Sequence, residues 1–185
     1  NTAFAYGNMG KLSTAVVYDD STIAVYARAG ILIEKANGLN NQGLRYHYLN
    51  KNELAMTNYQ KALDLYEKLG EEKKKANTVL NIGQIHLQQK NYDMALDFFL
   101  RAKDIATRTS NLQSLALAEN NIGVTYFDQK KFTQAIPYFE KTQTLSQTTK
   151  NNNLYLQATT NLGTSYESLN EYGKADTFYK AAESQ

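Results

Sequence analysis

Four stretches, NNQG, LNIG, NNIG and TNLG, end at Gly43, Gly83, Gly123 and Gly163, 40 residues apart each time. A period of this length, held four times, restricts the chain to a repeat architecture in which each unit covers the apolar face of the next. Other columns keep the register. Three residues after the glycines stand Tyr46, His86, Tyr126 and Tyr166, and one before them Gln42, Ile82, Ile122 and Leu162. Twelve after stand Ala55, Ala95, Ala135 and Ala175. Sixteen after stand Tyr59, Phe99, Phe139 and Tyr179, and nineteen after Ala62, Ala102, Thr142 and Ala182.

A glycine and an aromatic three residues on share one helix face. The glycine admits a neighbouring helix closely, the small alanine does so from the other side, and the aromatic four residues beyond fills the gap between them. Each repeat therefore reads as a helical hairpin. In the second, helix A is expected over about Glu72 to Gln89, a polar turn at Lys90 and Asn91, and helix B over Asp93 to Arg108 with Asp93 as N-cap. Breaks between repeats fall at Gly70, at Ser110 and Asn111, and at Lys150 to Asn153, and Gly30 and Gly70 read as helix stops.

The expected organisation is a single array over 1–185: a partial repeat at 1–30, then repeats at 31–70, 71–110, 111–150 and 151–185. Tyr6 falls in the aromatic column, Gly10 in the turn and Ala15 in the small column of a helix B. Both ends lack a polar cap, which leads to the expectation of a fragment of a longer protein, or of a homodimer burying its end helices. Pro137 falls early in a helix B, where at most about one helix bond is lost.

Composition supports an all-helical chain: one proline and 10 glycines in 185 residues. There is no cysteine, which removes disulfides and thiolate chemistry. The net charge of +2 argues against nucleic acid as a partner, and no apolar run reaches the ~20 residues a membrane span needs. The EEKKK run at 71–75 reads as a solvated face. No catalytic constellation, metal motif or phosphate loop appears, so neither enzyme activity nor a cofactor is expected. His86 reads as a core histidine.

The segments NIGQIHLQQKNYDMALDFFLRA and NIGVTYFDQKKFTQAIPYFEKT carry a clear family pattern. With its G, Y, A, F/Y and A columns the chain resembles the tetratricopeptide repeat (TPR) family. It departs in its 40-residue period, where 34 is usual, and in lacking the proline after helix B. Longer repeats of this kind resemble those of bacterial Rap-type sensors and LGN/Pins-type scaffolds. The resemblance implies an all-α superhelical solenoid of antiparallel helix pairs, with about 4.5 repeats and a concave groove lined by helix A.

By the same resemblance the groove residues lie six, three and two before each glycine and one, four and five after it. They include Asn37, Asn40, Asn41 and His47; Asn77, Leu80, Asn81, Gln84 and Leu87; Leu117, Asn120, Asn121, Val124, Phe127 and Asp128; and Gln157, Thr160, Asn161, Thr164 and Glu167. Asn41, Asn81, Asn121 and Asn161 form a column of amides, each offering donor and acceptor to a peptide backbone. None of these positions is Lys or Arg, so the basic clamp with which chaperone-binding TPRs grip a carboxylate is missing. The expected function is a non-catalytic module holding a neutral or mildly basic peptide, or a segment of a partner protein, by its main chain and apolar anchors. The alternatives are a sensor segment of a larger bacterial signalling protein, or an oligomerisation module with an empty groove. The cytoplasm, or a periplasmic sensor segment, is the expected location.

Overall fold

The computed structural model describes residues 11–183, so Tyr6 and Gly10 lie outside the described residues. Among the described residues there are nine α-helices and no strand: α1 (Leu12–Arg28), α2 (Leu32–Tyr48), α3 (Asn52–Leu69), α4 (Glu72–Gln88), α5 (Tyr92–Arg108), α6 (Leu112–Asp128), α7 (Phe132–Thr148), α8 (Asn152–Ser168) and α9 (Tyr172–Glu183). The chain is all-α, as expected. α2, α4, α6 and α8 are the A helices; the rest are B helices. Pro137 sits inside α7 without breaking it.

The helix stops are more regular than the sequence suggests. Residues 30, 50, 70, 90, 110, 130, 150 and 170 all have positive φ, between 51° and 70°. Each closes the preceding helix with the same pair of bonds. After α2, Asn50 N–H donates to His47 C=O and Lys51 N–H to Tyr46 C=O; after α5, Ser110 donates to Thr107 and Asn111 to Ala106. This is the Schellman arrangement, which satisfies two orphan carbonyls at a helix end. The N-cap of α5 is Asn91, not Asp93, which lies in the first helical turn. Asn111 and Asn151 cap with their side chains, accepting from Ser114 N–H and Leu154 N–H.

The described chain divides between Ile85 and His86 into two compact units. In both, the glycine column seats the aromatic column. A Cβ at Gly43 would stand 2.7 Å from the Tyr59 ring, at Gly123 2.7 Å from Phe139, and at Gly163 2.6 Å from Tyr179. No side chain fits there, which is why helix A carries glycine opposite each ring. Tyr59 and Phe139 are fully buried as a result.

In the first unit, Ala36, Leu39, Ala62 and Tyr66 form a core with Ile23, Ile33 and Leu65 against it. α1 and α2 are joined by polar contacts as well: Arg45 Nη1 lies 3.1 Å from Asp19 Oδ2, both buried, and Gln42 Nε2 donates to Asp20 Oδ1 at 2.7 Å. Gln42 thus replaces the apolar residue of its column to meet an acid. The EEKKK segment is not simply solvated: Lys74 Nζ donates to Asn37 Oδ1, and Lys75 bridges Glu67 and Glu72.

In the second unit, Ala135, Phe139 and Leu162 are buried among Val124, Tyr126, Phe127, Ile136, Tyr166 and Phe178. The column three residues after the glycine stacks on the residue twelve further on: His86 on Phe98, Tyr126 on Tyr138, and Tyr166 on Phe178. Lys103 Nζ pairs with the buried Glu119 at 3.0 Å, tying α5 to α6, and lies over the Tyr138 ring.

Candidate functional site

In the second unit the A helices α6 and α8 border an open cavity of about 460 Å³ lined by Asn120, Val124, Leu156, Gln157, Thr160 and Asn161. All but Leu156 belong to the groove positions drawn from the sequence. Leu156 was missed because it lies seven residues before Gly163; one further helical turn from Thr160 along the same face reaches it. Val124 and Leu156 form apolar flanks, and no charged side chain lines the cavity.

Two amides on α6 distinguish this face. Asn120 and Asn121 are each only 8% exposed. Asn120 Oδ1 and Asn121 Nδ2 have no hydrogen-bond partner among the described residues. A buried polar atom left unpaired costs about 1–3 kcal/mol. One is an acceptor and the other a donor, the complement of a peptide unit's N–H and C=O.

The first unit treats its amides differently. Asn40 Oδ1 accepts from Thr78 Oγ1 at 2.9 Å. Asn37 Oδ1 accepts from the Tyr66 hydroxyl at 3.0 Å and from Lys74 Nζ at 3.1 Å, while its Nδ2 donates to Glu34. These two asparagines hold neighbouring helices together, so their oxygens are already engaged. Eighty residues on, the position of Asn40 is Asn120 and that of Thr78 is Ala158. Alanine has no hydroxyl to offer, which is the physical reason the Asn120 oxygen is left alone.

The remaining site candidates are dispersed. Asn41 and Asn77 are exposed, whereas Asn81, Gln84, Leu87, His47, Val124 and Asn161 are half-buried. Leu80 is 3% exposed and belongs to the packed interior. Phe127 lies edge-on to Phe132 and Phe139, with centroids at 5.2 and 6.4 Å, so its ring serves the α6–α7 hairpin. His47 stacks on Tyr48. Glu167 Oε2 accepts from the Tyr179 hydroxyl at 2.6 Å. Burial raises the Asp128 carboxyl pKa, against the pull of Lys90.

The tetratricopeptide repeat family model matches residues 34–108 and 114–184. The chain belongs to the tetratricopeptide repeat family. Comparison with curated protein sequences finds no match. Among solved structures, this TPR chain is similar to aspartyl phosphate phosphatase F from Bacillus subtilis, with a TM-score of 0.87 at 18% identity over 97% of this chain and 48% of that one. It is similar also to the apo form of RapI (0.84, 16%, 98% and 50%). A Rap protein complexed with competence and sporulation factor gives 0.83 at 18%, over 98% and 51%. The chain spans about half the length of these structures, and at such identities the likeness is one of fold. The tetratricopeptide repeat to which the chain belongs is a protein-interaction module. No described helix is long and apolar enough to cross a membrane, and no described cluster of His, Cys, Asp and Glu could hold a metal.

Proposed function

We propose that this TPR chain holds an extended, uncharged segment of a peptide or partner protein against the α6–α8 face of its second unit. The observation that carries this reading is the pair of buried, unpartnered amide atoms on Asn120 and Asn121, at or beside an open cavity. A ligand main chain supplies what the fold withholds: an N–H for Asn120 Oδ1 and a C=O for Asn121 Nδ2. Asn161, across the cavity, offers a second amide. An aliphatic ligand side chain sits between Val124 and Leu156. Water satisfies such amides only while the face is open; a bound backbone satisfies them while excluding water. The solved Rap complex with competence and sporulation factor gives the reading a precedent in a chain of similar fold.

The test uses peptides selected from a random library against the full chain. Asn120→Leu and Asn121→Leu keep the branching and heavy-atom count of the side chain and delete the amide. Each is expected to weaken a selected peptide about tenfold. Each leaves the free protein as stable as before or more so, because an unpaired buried group has been removed. Peptides that bind both variants and the parent equally well overturn the reading.

A further inference from the structure

The first unit carries a second cleft, on the other helix set. Between α1, α2 and α3 lies an open cavity of about 420 Å³ lined by Ile23, Lys35, Leu39, Lys61, Asp64, Leu65 and Lys68. Its floor is apolar: Leu39 is buried, and Ile23 and Leu65 pack on the same core. Its rim is cationic. Lys61, Asp64, Leu65 and Lys68 form one stripe of α3 at the i, i+3, i+4, i+7 spacing, and Lys35 adds a third ammonium from α2. The one rim carboxylate, Asp64, accepts from Gln60 Nε2. Among the described residues, none of the three lysines has an ion pair or hydrogen bond, whereas Lys74, Lys75, Lys103, Lys174 and Lys180 do.

The same place in the second unit is built differently. At the register of Ile23 and Leu39 stand Lys103 and Glu119, which pair with each other at 3.0 Å. At the registers of Lys35, Asp64 and Lys68 stand Leu115, Thr144 and Thr148, and only Lys141 keeps the charge. The repeat therefore tolerates a closed, self-paired version of this position. Three unpaired cations around an apolar hollow are not required by the fold.

We propose that the Lys35–Lys61–Lys68 cleft binds an acidic segment of a partner protein: an aliphatic side chain on the Ile23–Leu39–Leu65 floor, with carboxylates reaching the three ammonium groups. Charge complementarity selects the sign of the occupant. The apolar floor selects a peptide over a bare anion, and a hollow rather than a flat apolar face selects it over a lipid surface. The site is distinct from the α6–α8 amide face and stands or falls apart from it. Rim pairs exposed to water act mainly on selectivity and association and are screened by salt.

The probe is a fluorescein-labelled dodecapeptide of glutamate with a central Leu-Leu pair, titrated into the full chain by fluorescence anisotropy. Binding is expected at low salt and weakens as salt is raised. The double variant K61Q/K68Q lowers affinity about tenfold, as does exchange of glutamate for glutamine in the peptide. Replacing the Leu-Leu pair by Ser-Ser costs about fivefold or more. Lys141→Gln and Asn120→Leu leave the titration unchanged, which separates this site from the amide face. Circular dichroism verifies that the helices persist. Equal binding of the glutamine peptide overturns the proposal, as does indifference to K61Q/K68Q. So does equal binding of the Ser-Ser peptide, or retention of the chain by phosphatidylserine vesicles without measurable affinity for the peptide.

Discussion

The two units are made from the same columns, yet at the shared register of Asn40 and Asn120 they treat a helix-A amide in opposite ways. In the first, Asn40 is matched by Thr78 and Asn37 by Tyr66 and Lys74. In the second, Asn120 meets the register of an alanine and keeps an unpaired oxygen. The reverse holds for the outer cleft, where Lys103 and Glu119 close in the second unit what three lone lysines leave open in the first. One repeat thus yields a neutral amide face in one place and a cationic hollow in the other. The difference lies in which partner residues have been withdrawn, since the backbone is the same.

The largest effect expected from disturbing this contrast comes at Thr78, which is fully buried. Thr78→Ala strips Asn40 of its donor and should cost about 1–3 kcal/mol, read by urea denaturation and by faster amide exchange in α2 and α4. Ala158→Ser is the mirror change. A hydroxyl restored at that register pairs with Asn120, adds about 1 kcal/mol of stability, and weakens selected peptides, so one substitution should move stability and affinity in opposite directions. If both fall together, the amide face is not acting as proposed.

A third contrast is in acid response. Burial raises the Asp19 carboxyl to about 6, with the Arg45 guanidinium pulling it down and Asp20 pushing it up. The folded chain then holds a proton that the unfolded chain releases near the ordinary aspartate value. Stability from this group is present at low pH and is lost as pH rises from about 4 to about 6. Asp19→Asn should flatten that part of the stability–pH profile, and an unchanged profile would count against a desolvated carboxyl.

The smallest effect concerns the linkers. The first unit places glycine at two of its left-handed stops, Gly30 and Gly70, whereas the second uses Lys90, Ser110, Lys130, Lys150 and Asn170. A left-handed non-glycine residue costs roughly 1–2 kcal/mol, offset in part by the flexibility glycine brings to the unfolded chain. Lys130→Gly should therefore raise stability by about 0.5–1 kcal/mol, and Gly70→Lys should lower it similarly. Equal melting temperatures would show that the strain is relieved elsewhere.

These differences also mark what could be read in advance. The period, the hairpins and the seating of Tyr59 and Phe139 on glycine follow from columns visible in one sequence, because each depends on residue size at fixed spacing. Gly30 and Gly70 announced their stops by residue type; Lys90 and Lys150 were placed by the repeat register alone, and Lys130 was not singled out, since lysine has no left-handed preference. Five of the expected groove positions line the α6–α8 cavity, while Leu156 lines it without having been among them and the others are dispersed. What stayed illegible was the state of each amide. Whether Asn40 or Asn120 is engaged depends on a residue 38 positions away on another helix, and an asparagine looks the same in either case. Phe127 likewise gave no sign that Phe132 and Phe139 would hold its ring.

The uniform twenty-residue beat of the helix stops implies that A and B helices are interchangeable as far as the main chain is concerned. Their identity is written only in side chains, glycine on one and an aromatic on the other. Grafting two successive beats into the chain should extend it without disturbing its neighbours, whereas inserting one would set ring against ring and glycine against glycine. Lengthening by duplication is therefore a natural route for such a chain to grow, and only even steps are open to it.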